Sequence, residues 1–242
     1  MPIPLFTRTS AMLPVPGLPG VTVSLRRSAR ARRMSLRVGR IDGAVTLTIP
    51  ARLALREAQG FLAGQAGWLA RALAARPALA TVGPGTSLPV EGRLLTLTAT
   101  GGRGAASIDG DRLLLPGPPA RVAAAAQAFL RVLARDRLAA ACDRHALALG
   151  RPYSALALRD TRSRWGSCTS DGRLMFNWRL ILAPPAVLDY VAAHEVAHLA
   201  RMDHSPAFWA TVAALVPGYA APRRWLKAEG QTLHAWRFDP GA

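Results

Sequence analysis

A chain of 242 residues can bury a real core, as one long domain or as two modest ones. Its two cysteines, Cys142 and Cys168, exclude a disulfide framework and a four-thiolate zinc site, and its apolar runs are cut by Arg, Asp or Pro short of the roughly 20 residues a membrane helix needs. The net charge of +17 is almost wholly arginine, with Lys227 the one lysine; it favours anionic partners, and it is equally what a GC-rich genome produces.

The first twenty residues carry Pro2, Pro4, Pro14, Pro16 and Pro19 and lack a charged start with a small-residue cleavage site. They are read as a flexible tail (1–20), and the chain as a soluble protein of the reducing cytoplasm. From Val21 to Ile49 apolar residues alternate in three runs, Val21–Leu25, Met34–Val38 and Ala44–Ile49, the last after the turn pair Asp42–Gly43. This predicts a small antiparallel sheet. Between its first two strands lie Arg26, Arg27, Arg30, Arg32 and Arg33, either a solvated face or a patch for the phosphates of a nucleotide or nucleic acid. Pro50 opens a helical pattern that stops before Pro77, with Trp68 as its core anchor. Hairpins follow with turns at Glu91–Gly92 and Asp109–Gly110. Pro116 to Pro119 then mark a boundary between a β-rich domain (21–118) and a second domain (119–242).

The second domain opens with an alanine-rich helical stretch from Ala120 to Leu149, one helix or two broken near Asp136, closed by Gly150 as a left-handed cap. Two strands come next, one from Ser154 through Ser167 and one from Leu174 to Ile181, joined by a turn at Ser170–Gly172. Pro184–Pro185 start a further helix.

That helix carries HEVAH at 194–198. Positions four apart share a helix face, so His194 and His198 can reach one ion while Glu195 borders the same pocket. Zinc prefers four ligands and becomes catalytic when the protein supplies three and water takes the fourth position. His204 follows His198 by six residues, enough to end the helix and turn back, although Arg201 stands where the extended zinc-protease pattern has glycine. The turn is then expected at Met202–Asp203, since Asp tolerates unusual backbone angles, with Glu229 in reserve as a ligand. Burying two histidines and a glutamate on one face without a partner costs several kcal/mol, which favours one Zn2+ ion there. Glu195 is the expected base and His194, His198 and His204 the metal ligands.

At these residues the chain resembles the bacterial YgjP-type metal-dependent hydrolases, a minimal zincin family related to the SprT-like proteases. The likeness rests on TRSRWGSC (161–168), FNWRLI (176–181), LDYVAAHEVAHL (188–199) and HSPAFW (204–209), and more loosely extends from about Val21 to Leu233. It implies an α+β fold: an N-terminal small antiparallel β domain with a helix, followed by a minimal zincin-like metallopeptidase domain. It further implies that the segment at Arg164, Trp165 and Gly166 runs beside the cleft, where its edge pairs with an extended peptide, Gly166 permits close backbone approach, and Arg164 holds a carboxylate or phosphate. Alternatively Trp165 is core and Arg164 pairs with an acidic neighbour. Asn177 and Tyr219 complete the candidate substrate contacts, Tyr219 as an oxyanion donor. Cys168 is read as a packing residue, and His145 and His234 as surface or packing residues. Ser205 and Pro206 begin a helix whose Phe208 and Trp209 pack against the metal helix. The leading expectation is a peptidase acting on peptides or proteins; nucleotide phosphoanhydride hydrolysis and recruitment to DNA through the basic segment are the alternatives.

Overall fold

The computed structural model describes residues 11–39 and 42–238. The chain divides into two units, Met1–Ala78 and Leu79–Ala242, each with its own apolar core.

In the first unit, β1 (Ala11–Val15), β2 (Leu18–Ser28), β3 (Ser35–Val38) and β4 (Val45–Pro50) form a sheet in the order β1-β2-β4-β3. Residues 11–20, expected as part of a loose tail, are thus largely strand, and residues 1–10 lie outside the described part. Leu13 and Val15 turn inward, and Pro14 is accommodated because β1 is an edge strand with an irregular register there. The sheet is mixed rather than purely antiparallel: β4 lies between β2 and β3, which makes β2 and β4 parallel. Helices α1 (Leu55–Gly64) and α2 (Ala66–Ala74) share this core through Ala58, Leu62 and Leu69. The expected single helix is broken at Gln65, and Pro50 ends β4 rather than opening a helix. Ala58, Leu62 and Leu69, four and seven positions apart, keep to one helical face across the break, so Leu69 is fully buried while Trp68, the expected anchor, lies off that face and is 41% exposed.

In the second unit, β6 (Ser87–Val90), β7 (Arg93–Ala99), β8 (Ser107–Asp109) and β9 (Arg112–Leu115) form a sheet in the order β6-β7-β9-β8, again two hairpins joined by a parallel pair; the short β5 (Ala80–Thr81) precedes them. The hairpin turns fall at Gly92 and Gly110, both with positive φ, as the turn chemistry predicts. The chain does not divide at Pro116–Pro119. Leu88, Val90, Leu95, Leu97, Leu113 and Leu115 present one apolar face to the core they share with α3 (Val122–Leu149), so the prolines mark only a local turn. Helix α3 is unbroken over 28 residues, buries Val122, Ala126, Leu130, Ala134 and Leu138 at a spacing of four, and ends at Gly150 with φ 68°.

Strands β10 (Ala155–Arg159), β11 (Gly166–Cys168) and β12 (Arg173–Asn177) follow in the order β10-β12-β11, so the expected first strand is two strands flanking β12. The second ends at Asn177, whose side chain accepts a hydrogen bond from the Arg179 N–H and starts a 3-10 turn over Trp178–Leu182. Helices α4 (Pro185–Ala197), α5 (Pro206–Leu215) and α6 (Ala220–Glu229) complete the unit, with β13 (Trp236–Arg237) pairing parallel to β5. Among the described residues no helix is long and apolar enough to cross a membrane.

Candidate metal centre

Helix α4 is buried on nearly every side, through Val187, Leu188, Tyr190, Val191, Ala192 and Ala193, which fixes its last turn within the core. His194 and His198 leave that turn with ring centroids 5.1 Å apart. The His198 Nδ1 lies 2.9 Å from the carbonyl oxygen of Arg201. A carbonyl only accepts, so Nδ1 carries the hydrogen and Nε2 keeps its lone pair for a metal.

Beyond His198 the chain turns through hydrogen bonds from Leu199 N–H to Val196, and from Ala200 and Arg201 N–H to Ala197. No residue of this turn has positive φ; among the described residues Glu91 is the one non-glycine that does. Arg201 can therefore stand where the pattern has glycine, and no unusual backbone angle at Asp203 is needed. The Asp203 carboxylate instead accepts from the Ser205 N–H at 3.2 Å, closing a turn that returns His204 to the site. Ser205 then caps α5 by accepting from the Phe208 N–H.

The His204 Nε2 lies 3.2 Å from the His194 Nε2, and one ligand atom from each of the three imidazoles falls within 4.8 Å of the others. Two nitrogens on a tetrahedral zinc at about 2.0–2.1 Å stand about 3.3 Å apart; the His194–His204 pair has that spacing, and a set spread over up to 4.8 Å would close by side-chain adjustment to hold such an ion. Phe208, fully buried, forms the floor: its ring stacks on His198 at 4.4 Å and meets His194 and His204 edge-on at 5.0 and 4.9 Å. Burial holds the His194 pKa down at about 4, helped by His198 and His204, and lowers that of His198. Both rings are accordingly neutral at pH 7, the form that ligates. Glu229, the reserve ligand, is not in this group.

The opposite wall is β11. Glu195 is buried, and a methyl group at Gly166 would stand 2.5 to 2.7 Å from its Oε1, Cγ and Cδ. Gly166 is thus the gap into which the Glu195 side chain fits, a closer approach than the one expected for a substrate. Burial raises the Glu195 pKa to about 8, against a pull downward by Arg164. A divalent cation beside it would favour the carboxylate further. Gly166, Ser167, Cys168, His194, Glu195, His198, Met202 and His204 enclose a cleft of about 250 Å³.

The remaining candidates separate. Arg164 is exposed, its carbonyl accepting from the Thr161 hydroxyl at 2.8 Å. Trp165 stacks on His234 at 4.9 Å over Gly230, a packing role. Asn177 is fully buried, donating to the Thr161 carbonyl at 2.7 Å and accepting from the Arg179 N–H, so it supports the loop and does not face a substrate. Tyr219 stacks on Trp209 and Tyr190, one layer behind the imidazoles. Cys168 lines the cleft, with its thiol pushed up to about 11 by burial. His145 is buried and meets the Asp189 carboxylate at 2.9 Å, tying α3 to α4. Sequence reading missed the buried Arg179, which pairs with Asp160 at 2.8 Å and donates to the carbonyls of Leu233 and Trp236. Its signal, an arginine inside an apolar motif, is also that of a surface residue.

Three imidazoles on a helix end and the turn after it, with a buried carboxylate from the same helix, define a metallohydrolase-type centre. The YgjP-like metallopeptidase domain family matches residues 32–229, and the chain belongs to that family; it is a metal-dependent peptidase. No protein of curated function matches the chain. Among solved structures, the crystal structure of the metallopeptidase zymogen of Pyrococcus abyssi abylysin is similar at 21% identity, over 39% of this chain and 92% of that one, with a TM-score of 0.33.

Proposed function

We propose that the chain is a zinc peptidase in which His194, His198 and His204 hold one zinc ion and Glu195 is the general base. The observation that carries this reading is the convergence of three imidazoles and one buried carboxylate on a single cleft. Zinc, when bound, lowers the pKa of water from about 15.7 to roughly 7 and polarises a carbonyl. Glu195 takes the proton of the attacking water and returns it to the leaving amine. The free edge of β11 suits an extended peptide backbone, and the two unpaired cysteines suit the reducing cytoplasm. Family membership favours the peptide bond over a phosphoanhydride.

Elemental analysis with peptide-cleavage assays tests the assignment. Wild type should hold one equivalent of zinc, His198→Ala should lose it, and Glu195→Gln should keep it while losing about 10²–10⁴ in rate. A wild type that takes up no metal refutes the proposal.

A second reading concerns the first unit, where twelve arginines face only Asp42 and Glu57. Arg26 and Arg37 are exposed on β2 and β3, beside the loop bearing Arg30, Arg32 and Arg33. That charge suits the phosphates of a nucleic acid. Salt-dependent DNA binding that survives neutralising Arg30, Arg32 and Arg33 would remove it.

A further inference from the structure

Glu195 is the one acidic residue lining the cleft, yet among the described residues the guanidinium groups of Arg164 and Arg223, near Gly166 and near Trp209, have no acidic hydrogen-bond partner. Arg164 lies two residues before Gly166, in a loop held rigidly. The Thr161 hydroxyl donates to its carbonyl, the Asn177 N–H donates to the Trp165 carbonyl at 2.8 Å, and the Asn177 amide donates to the Thr161 carbonyl. Trp165 turns onto His234 and Gly166 lies against Glu195, and the exposed Arg164 stands two residues from that contact. Its charge is the one that pulls the Glu195 pKa down.

Arg223 comes from a different element, the first turn of α6. Its guanidinium sits 4.2 Å over the Trp209 ring, and that ring is 5.6 Å from His194 and 5.9 Å from His204. Stacking on an aromatic face leaves the N–H edge of a guanidinium free for a carboxylate. Among the described residues neither side chain hydrogen-bonds to an acid, whereas Arg179, Arg144, Arg137 and Arg173 are paired with Asp160, Asp189, Glu91 and Asp171. The separations of 4.2 and 5.6 Å put the Arg223 charge within about 10 Å of the His194 ring, which an extended chain covers in about three residues.

We infer that Arg164 and Arg223 form a carboxylate-binding rim that selects peptides carrying an acidic side chain within about three residues of the bond to be cut. The inference rests on the peptidase reading of the same cleft. Two cations beside a partly enclosed cleft concentrate anionic ligands, and the planar guanidinium matches a carboxylate with two parallel hydrogen bonds.

The zinc-loaded full chain is assayed on a proteome-derived peptide library, then on matched peptides differing by Glu or Gln near the cut. Asp and Glu should be enriched around cut sites, and kcat/KM should favour the Glu peptide about tenfold, mainly through KM. Arg164→Gln with Arg223→Gln should bring that ratio near one, and the paired lysine variants should retain part of it. Arg103→Gln with Arg131→Gln, which removes equal charge from exposed positions elsewhere, should leave the ratio as in wild type. A wild-type ratio near one, a ratio that survives the double glutamine variant, or an equal loss in the control overturns the inference. If no peptide is cut, the peptidase reading fails by itself, and the rim is judged by binding. Calorimetry then compares capped Ala-Glu-Glu-Ala with Ala-Gln-Gln-Ala on the full-length Glu195→Gln chain with and without the two arginine changes. A preference of fivefold or more for the Glu peptide that vanishes with the arginines supports the rim, and equal binding refutes it.

Discussion

The two walls of the cleft are built on different principles. The helical wall places His194, His198 and His204 through spacing along α4 and one tight turn, with Phe208 beneath them. Glu195 leaves the same helix beside His194, but its side chain is seated by the strand wall, because β11 approaches α4 where residue 166 has no side chain. The first wall tolerates substitution between its ligands, as Arg201 shows, and the second tolerates no added atom at one position. Metal binding and proton transfer should therefore be separable by mutations far apart in sequence.

The sharpest break comes from Gly166→Ala. The added methyl overlaps Glu195 and leaves the imidazoles untouched, so zinc content should stay near one equivalent while cleavage falls about 10²–10⁴-fold, as for loss of a general base. Parallel loss of zinc and activity would mean that the walls are not independent. Phe208→Ala attacks the other wall. Removing a fully buried phenylalanine under three imidazoles should cost about 3–5 kcal/mol of stability, read by denaturant melts, and weaken zinc binding. Asn177→Ala should cost about 2 kcal/mol, because it strands the Thr161 carbonyl and the Arg179 N–H. It should also loosen the loop that carries Arg164, raising KM more than it lowers kcat.

The same division explains what was legible in the sequence. HEVAH, the Ser205–Pro206 helix start, the glycine turns at 92 and 110 and the cap at Gly150 are set by residues a few positions apart, and the fold follows them. The role of Gly166 was not legible, because its neighbour Glu195 lies 29 positions on and only the packed fold joins them. Asn177 was read as facing a substrate because a polar residue in an apolar motif invites that reading, whereas its partners are backbone groups supplied by the loop and the 3-10 turn. The boundary at Pro116–Pro119 failed for a related reason: prolines report a local turn, but the leucines of β6, β7 and β9 share a core with α3. Trp68 was read as an anchor for its size, whereas the periodicity of Ala58, Leu62 and Leu69 puts the neighbouring position on the buried face.

The smallest effect expected is in the pH dependence of stability, and it comes from outside the metal group. His234 lies beneath Trp165, where burial and the positive charge of Arg179 hold its pKa at about 4. An unfolded histidine titrates near 6.5, so between about pH 6.5 and 4 the unfolded chain binds the extra proton and the folded chain does not. The contribution of His234 is thus fully present above about pH 6.5 and declines as the pH falls toward 4. The buried His194 has the same sign, which is why wild type alone is an insufficient probe. His234→Phe keeps a ring under Trp165 and removes the titration. Its denaturant midpoint should fall less than that of wild type between pH 7 and pH 5, in zinc-free protein. An identical fall in both would place the acid sensitivity in the imidazoles of the helical wall alone, leaving the support beneath the strand wall indifferent to pH.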